Sequence, residues 1–259
     1  MYNIIKLAIC HPKMIGMLFK EKISKVVGYV LILFGISVLA CGLKSYSTNH
    51  FDYDDAKQIT TIITLSDKGN VSYDSNTSTL SGDVYQTSTE SVVINVLNGE
   101  AYSQTRFVFN FLENGITVYY SKMKIADVKY TDINCKSFTF ENVSNGVVSD
   151  TVHMQQMVDQ VLDKANIGYS NVSFLTDVLF MLLYYAIIII CSTLLSMFVN
   201  PDIAKNVRFK LIFFSTGIYF VIMSFYFIFA AEWIQYLAFI LPMIYCNITF
   251  AHIIRVRKV

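Results

Sequence analysis

Cys41 is the residue whose neighbours most directly suggest chemistry. Val38-Leu39-Ala40-Cys41-Gly42 has the form of a bacterial lipobox: a small residue precedes the cysteine, with lysines and an apolar run upstream. Three features argue against processing. The leader ahead of the apolar run is about 25 residues, far longer than a signal peptide's basic region. Leu39 is not the preferred residue type two before the cysteine, and the leader carries apolar clusters of its own. The expectation is therefore that Cys41 is not lipidated and that Met1 to Ala40 is retained.

The other reactive residue types are dispersed. His11, His50, His153 and His252 form no His-x-x-x-His pair, and there is no Cys-x-x-Cys. His153 neighbours Asp150 and Asp159 on what reads as a solvated helix face. Asp52, Asp54 and Asp55 cluster, but the glycine and distal glutamate of a calcium loop are missing. No phosphate loop, nucleophile elbow or His-Glu-x-x-His motif occurs. The sequence thus implies no catalytic residues, no metal and no cofactor. Of the cysteines Cys10, Cys41, Cys135, Cys191 and Cys246, Cys135 alone falls well inside the polar segment, where one cysteine cannot form an internal bridge. Asn-x-Ser/Thr triplets at Asn70, Asn76, Asn142 and Asn171 carry little weight in so Asn- and Ser-rich a segment.

Polar residues near apolar runs are the remaining candidates, because ionisable groups in a membrane tend to be functional. Asp177 stands at the edge of one run. Glu232 lies in a turn beside Trp233, an interfacial anchor. Asn247 is deeper and reads as a helix–helix hydrogen bond. None is a charge at mid-depth, which argues against a self-contained transporter.

These residues must be positioned by membrane helices. Of the 259 residues, 54% are hydrophobic and 15% charged, against about a quarter charged in soluble domains. The excess lies in Val26 to Ala40, Phe174 to Val199, Leu211 to Ala231 and Ile234 to Ile254. A span needs roughly 20 apolar residues, and the first run reaches about 18 when extended to Leu43. The expected organisation is a basic leader over 1–25, spans over 26–44, 173–199, 211–231 and 234–254, a polar domain over 45–172, a loop over 200–210 and a tail over 255–259. The leader, broken at Pro12, reads either as an amphipathic helix on the inner leaflet or as an extension of the first span.

Charge orients the chain. Between Tyr46 and Ser170 there are 15 acidic and 8 basic residues, a balance of −7; the remainder has 12 basic and 4 acidic, a balance of +8. Lys6, Lys13, Lys20, Lys22 and Lys25 precede the first span. Lys205, Arg208 and Lys210 separate the second and third, and Arg255, Arg257 and Lys258 follow the fourth. Lys44 is the exception. Basic residues collect on the cytoplasmic side, so the expectation is a multi-pass cell-membrane protein with both termini cytoplasmic and 45–172 outside.

Within the polar segment, apolar residues alternate at Ile59, Thr61, Ile63 and Leu65, at Val92, Ile94 and Val96, at Phe107, Phe109 and Phe111, and at Ile116, Val118 and Tyr120. Such alternation predicts half-buried strands. Asn98-Gly99, Asn114-Gly115 and Asn145-Gly146 are turn dipeptides. The sharpest hairpin is Arg106 to Leu112 with Ile116 to Ser121, whose Asn114-Gly115 turn is expected at positive φ. Strands at Lys124 to Tyr130 and Ser137 to Phe140 follow. Asp150 to Ala165 then puts Met154, Met157, Val158, Val161 and Leu162 on one helical face, with Ser149 or Asp150 as N-cap and Gly168 past the end. The expected fold class is an α+β membrane protein: four transmembrane helices and a small antiparallel β-rich extracytoplasmic domain carrying one helix.

This order of parts resembles a Gram-positive bacterial domain-of-unknown-function family of membrane proteins, some labelled maltodextrin utilisation protein. His11-Pro12-Lys13, Gly-Asn-Val-Ser-Tyr at 69–73, Ser91 to Asn95 and Gly-Ile-Thr-Val-Tyr-Tyr-Ser-Lys-Met-Lys-Ile at 115–125 carry the resemblance, which covers nearly the whole chain. At Val93 to Asn98 the family is more acidic and glycine-rich. The resemblance implies a place beside a sugar ABC transporter and supplies no catalytic residues. The expected function is a non-enzymatic accessory protein whose external domain binds a partner protein or envelope component, with membrane lipids and ABC transporter subunits as partners. An envelope sensor and a lipid- or wall-modifying enzyme are the alternatives. The −7 balance argues against nucleic acid.

Overall fold

The computed structural model describes residues 1–51, 53–65, 70–89, 92–99, 101–103 and 107–257. Asp52, Gly69, Ser91, Arg106 and Lys258, invoked above, lie outside the described residues, as do the side chains of Asp54, Asp55, Leu65, Ile254, Arg255 and Arg257. In chain order the elements are α1 (Tyr2–Cys10), a 3₁₀ segment (Pro12–Lys20), α2 (Ile23–Ser47), α3 (Tyr53–Leu65), β1 (Ser72–Asp74), β2 (Thr79–Ser81), β3 (Tyr85–Ser88), β4 (Val92–Val96), β5 (Phe107–Phe111), β6 (Gly115–Tyr120), β7 (Met123–Lys129), β8 (Phe138–Thr139), α4 (Phe140–Ser144), α5 (Val148–Val199), α6 (Lys205–Thr216), α7 (Ile218–Phe229) and α8 (Glu232–Arg257). They form two compact units, Met1–Ser47 with Phe174–Val259, and Thr48–Ser173.

In the first unit, α2, α5, the α6–α7 pair and α8 are long and apolar enough to cross a membrane. Backbone amides in hydrocarbon need internal partners, and helices provide them despite the many β-branched and aromatic residues. The apolar stretch of α6–α7 is 72% buried, against 22% to 33% for the other three. The third span is therefore the centre of the bundle, and the others give most of their surface away from it. Hydroxyls join the helices: Ser37 Oγ donates to Phe220 O, Tyr219 OH to Met181 O and Ser215 Oγ to Thr249 Oγ1. The leader does not extend the first span: it is a separate helix, α1, that breaks at Pro12 as one of the two readings expected. Ile4, Ala8, Ile15 and Leu18 are buried in the bundle core, and the backbone exposed at the Pro12 break is satisfied from α8: Tyr245 OH donates to Ile9 O at 2.8 Å and Thr249 Oγ1 to Pro12 O at 3.2 Å.

The second unit has its own core. Strands β3-β4-β5-β6-β7 make one sheet and β2-β1-β8 a smaller one. Ile94, Phe109 and Val118 lie in register across the larger sheet, and Met154, Met157, Val158 and Val161 of α5 join them in the core. The α+β class stands, but the sheet is not purely antiparallel: β4 and β5 pair in parallel. Alternation records which face a residue takes, not strand direction. Nor is there one helix. Residues 53–65 are α3, not a strand, because Ile59 and Ile63 are also i,i+4 neighbours; both are buried with Thr60, while Thr61, of the same parity, is exposed.

Two glycines play other parts than the sequence suggests. The β5–β6 hairpin forms, yet Gly115 is not at positive φ; a Cβ there would come within 2.5 Å of Val128 O on β7, so glycine serves backbone approach. Gly168 does not end its helix but sits inside α5, where a Cβ would meet Ile125 O. The Asn98-Gly99 and Asn145-Gly146 turns do place glycine at positive φ, +72° and +76°.

Candidate functional site

Within the bundle unit, the last turn of α2 holds Lys44, the basic residue that charge patterning left unexplained. Its Nζ is 3.8 Å from Asp177 Oδ2 of α5 and lies 5.0 Å from the Tyr226 ring and 5.5 Å from the Phe227 ring of α7. Asp177 thus has a partner, and two aromatic faces also flank the cation. Sequence alone could not join Lys44 to a residue 133 positions away in this manner. Cys41, one turn earlier, is fully buried inside the continuous helix α2. Glu232 and Trp233 begin α8 and are exposed; the carboxylate in a helix's first turn complements its dipole.

Asn247 is not a contact between helices of this bundle. It is exposed on α8 and makes no hydrogen bond to the described residues. It lines a groove of about 300 Å³ formed with Leu195, Ser196 and Val199 of α5 and Ile240 and Ile244 of α8. Ser196 Oγ donates to Thr193 O, so the amide of Asn247 is the polar group in that groove left without a partner.

At the basic end of the same unit, the 3₁₀ segment, the 201–204 turn, α6 and the end of α8 enclose a larger groove of about 600 Å³. Arg208 is buried beside this turn, and its Nη2 donates to Asn200 O at 2.7 Å and Pro201 O at 3.1 Å, capping the carbonyl end of α5. The groove was not legible in sequence, since it is assembled from three separated segments.

The second unit offers a polar row. Gln86, Asn95, Asn110, Thr117 and Asp127 are in register across its five strands, on the face opposite the core. Gly99 and Ala101, between β4 and β5, lie over the middle of the row. Asn110 takes Ala101 as a strand would: Nδ2 donates to Ala101 O and Oδ1 accepts from Ala101 N, both at 3.1 Å. Asn95 Nδ2 donates to Gly99 O and to Asn110 Oδ1. These amides hold a short parallel crossover in place. Asp127 pairs with Lys124 Nζ at 3.0 Å.

Cys135 is buried, and burial pushes its thiol up to about 11. Its Sγ donates to Lys136 O and His153 O. Burial thus disfavours the thiolate, the nucleophilic form. Among the described residues no group of His, Cys, Asp and Glu could hold a metal ion. No family model matches the chain, no curated protein matches it, and no solved structure matches it.

Proposed function

We propose that this is a non-enzymatic accessory membrane protein that docks through its spans on another integral membrane protein, with both termini cytoplasmic and residues 48–173 outside. The three basic clusters support the orientation. Asn247 carries the docking. An amide facing hydrocarbon without a partner is unfavourable, and interhelical hydrogen bonds from such side chains contribute roughly 0.6–2 kcal/mol. The apolar groove around it accepts the ridge of a further transmembrane helix, and the occupant proposed is a helix of a partner protein, such as the membrane subunit of a sugar ABC transporter. The outward unit would then bind a protein or neutral glycan, since its −7 balance repels anionic surfaces.

A photo-crosslinking residue at Ile244 tests this in cells. The expected adduct is to a transmembrane segment of a different integral membrane protein, identified by mass, and Asn247→Leu should reduce its yield several-fold. A transporter membrane subunit as the adduct supports the accessory role. Adducts only to lipid, or only to a second copy of the chain, overturn it.

A further inference from the structure

The 600 Å³ groove at the basic end is separate from the Asn247 groove and is built for a different occupant. Three residues per turn in the 3₁₀ segment divide its side chains into three lines. Ile15 and Leu18 point into the bundle and are buried. Lys13, Gly16 and Phe19 form a second line, Met14 and Met17 a third, and all five line the groove. The opposite wall is apolar: Ile203, Val207 and Leu211 before and within α6, and Ile253 of α8. Gly16 lets α8 approach, because a Cβ there would already stand 3.1 Å from Ile253 Cγ1.

The rim carries lysines. Lys13 lines it together with His252, Lys20 Nζ lies 5.7 Å from the ring of the lining Phe19, and exposed Lys205 follows the lining residue Ala204 in sequence. Asp202 is the acidic residue in the lining. Arg208 does not line the groove; its Nη2 donates to Asn200 O and Pro201 O. Ala204 opens α6 without a side-chain cap, which adds a partial positive charge on the same side. An apolar floor under a cationic rim, at the end of membrane-spanning helices, matches one chemistry: a negatively charged headgroup attached to an acyl chain. Basic pockets between transmembrane helices bind anionic headgroups in this manner. The volume is within the range of about 300–1,000 Å³ for ligand sites.

We propose that this groove is a specific anionic-phospholipid site, the acyl chain lying along Met17, Ile203, Val207 and Ile253 and the phosphate meeting Lys13 and Lys205. Native mass spectrometry of the full chain in detergent, titrated with dioleoyl phosphatidylglycerol or dioleoyl phosphatidylcholine, tests it. The intact protein should retain the anionic lipid over the zwitterionic one by about fivefold per engaged lysine, the worth of one cation beside an anionic surface. Lys13→Gln with Lys205→Gln should bring the two lipids near parity. Ala204→Trp should exclude both. Lys6→Gln, a cation outside the groove, should change nothing. Both lysines and Ala204 are exposed, and thermal midpoints in detergent confirm that each variant is folded. Equal retention of the two lipids by the unaltered protein overturns the proposal. So does undiminished phosphatidylglycerol binding in both groove variants, an equal loss in Lys6→Gln, or a dimer that Ala204→Trp dissociates, which would give the groove to a second copy.

Discussion

Asp150 ties three segments together through one carboxylate. Its Oδ2 accepts from Asn142 Nδ2 at 2.9 Å and from Thr139 N at 3.1 Å, and its Oδ1 accepts from Ser149 Oγ. The hydrogen bond from Asn142, then that from Thr139, holds its carboxyl below the usual carboxylate range. A group whose folded pKa is depressed stabilises above its unfolded pKa of about 3.9, and that stabilisation is lost as pH falls through the folded value. Melting of the Thr48–Ser173 unit, followed by circular dichroism, should therefore fall off as pH drops below about 4, and Asp150→Asn should reduce that fall. An unchanged acid profile in the variant would assign the dependence elsewhere. Sequence marked Asp150 as an N-cap because it precedes an apolar helical face. The helix begins at Val148 instead, and the carboxylate reaches back to β8 and α4, a contact no local pattern encodes.

At the scale of elements, α5 shows why local punctuation misleads. Gly168 reads as a stop, yet 52 residues from Val148 to Val199 form one helix. Glycine costs a helix interior only about 1 kcal/mol, and here it admits the β7 backbone. Gly168→Ala would drive a Cβ into Ile125 O and should destabilise the Thr48–Ser173 unit by about 1–3 kcal/mol, the cost of overpacking. A thermal midpoint equal to that of the unaltered unit would refute the close approach. The strands around it were legible from alternation. The parallel pairing of β4 and β5 was not, because it depends on a crossover clamped by Asn95 and Asn110, and two asparagines inside strands look like ordinary polar positions.

At the scale of the whole molecule, charge is divided between the units, and the orientation proposed from that division can be read directly. In intact cells, a membrane-impermeant maleimide should modify Ser88→Cys, at an exposed position of β3, and leave exposed Cys10 untouched. Cys135 should stay silent until the fold is loosened, since it is buried and its thiol is pushed up to about 11. Modification of Cys10 with Ser88→Cys protected would reverse the topology. The same experiment bears on Asn247, because the side from which its groove is approached follows from the orientation of α8.

The four apolar helices, the mixed α+β class and most strands of the polar segment followed from sequence by itself. A helix satisfies its own backbone, so length and apolar composition determine whether it can cross hydrocarbon, and period-two alternation determines which residues face a core. Tertiary structure decided the rest. The leader became part of the bundle because Tyr245 and Thr249 supply the donors its broken backbone needs. Lys44 found Asp177, and Asn247 was left facing outward, although sequence ranks that asparagine no differently from one at a helix contact. Both outcomes depend on which helix faces turn toward each other, a property of packing geometry that local composition does not carry.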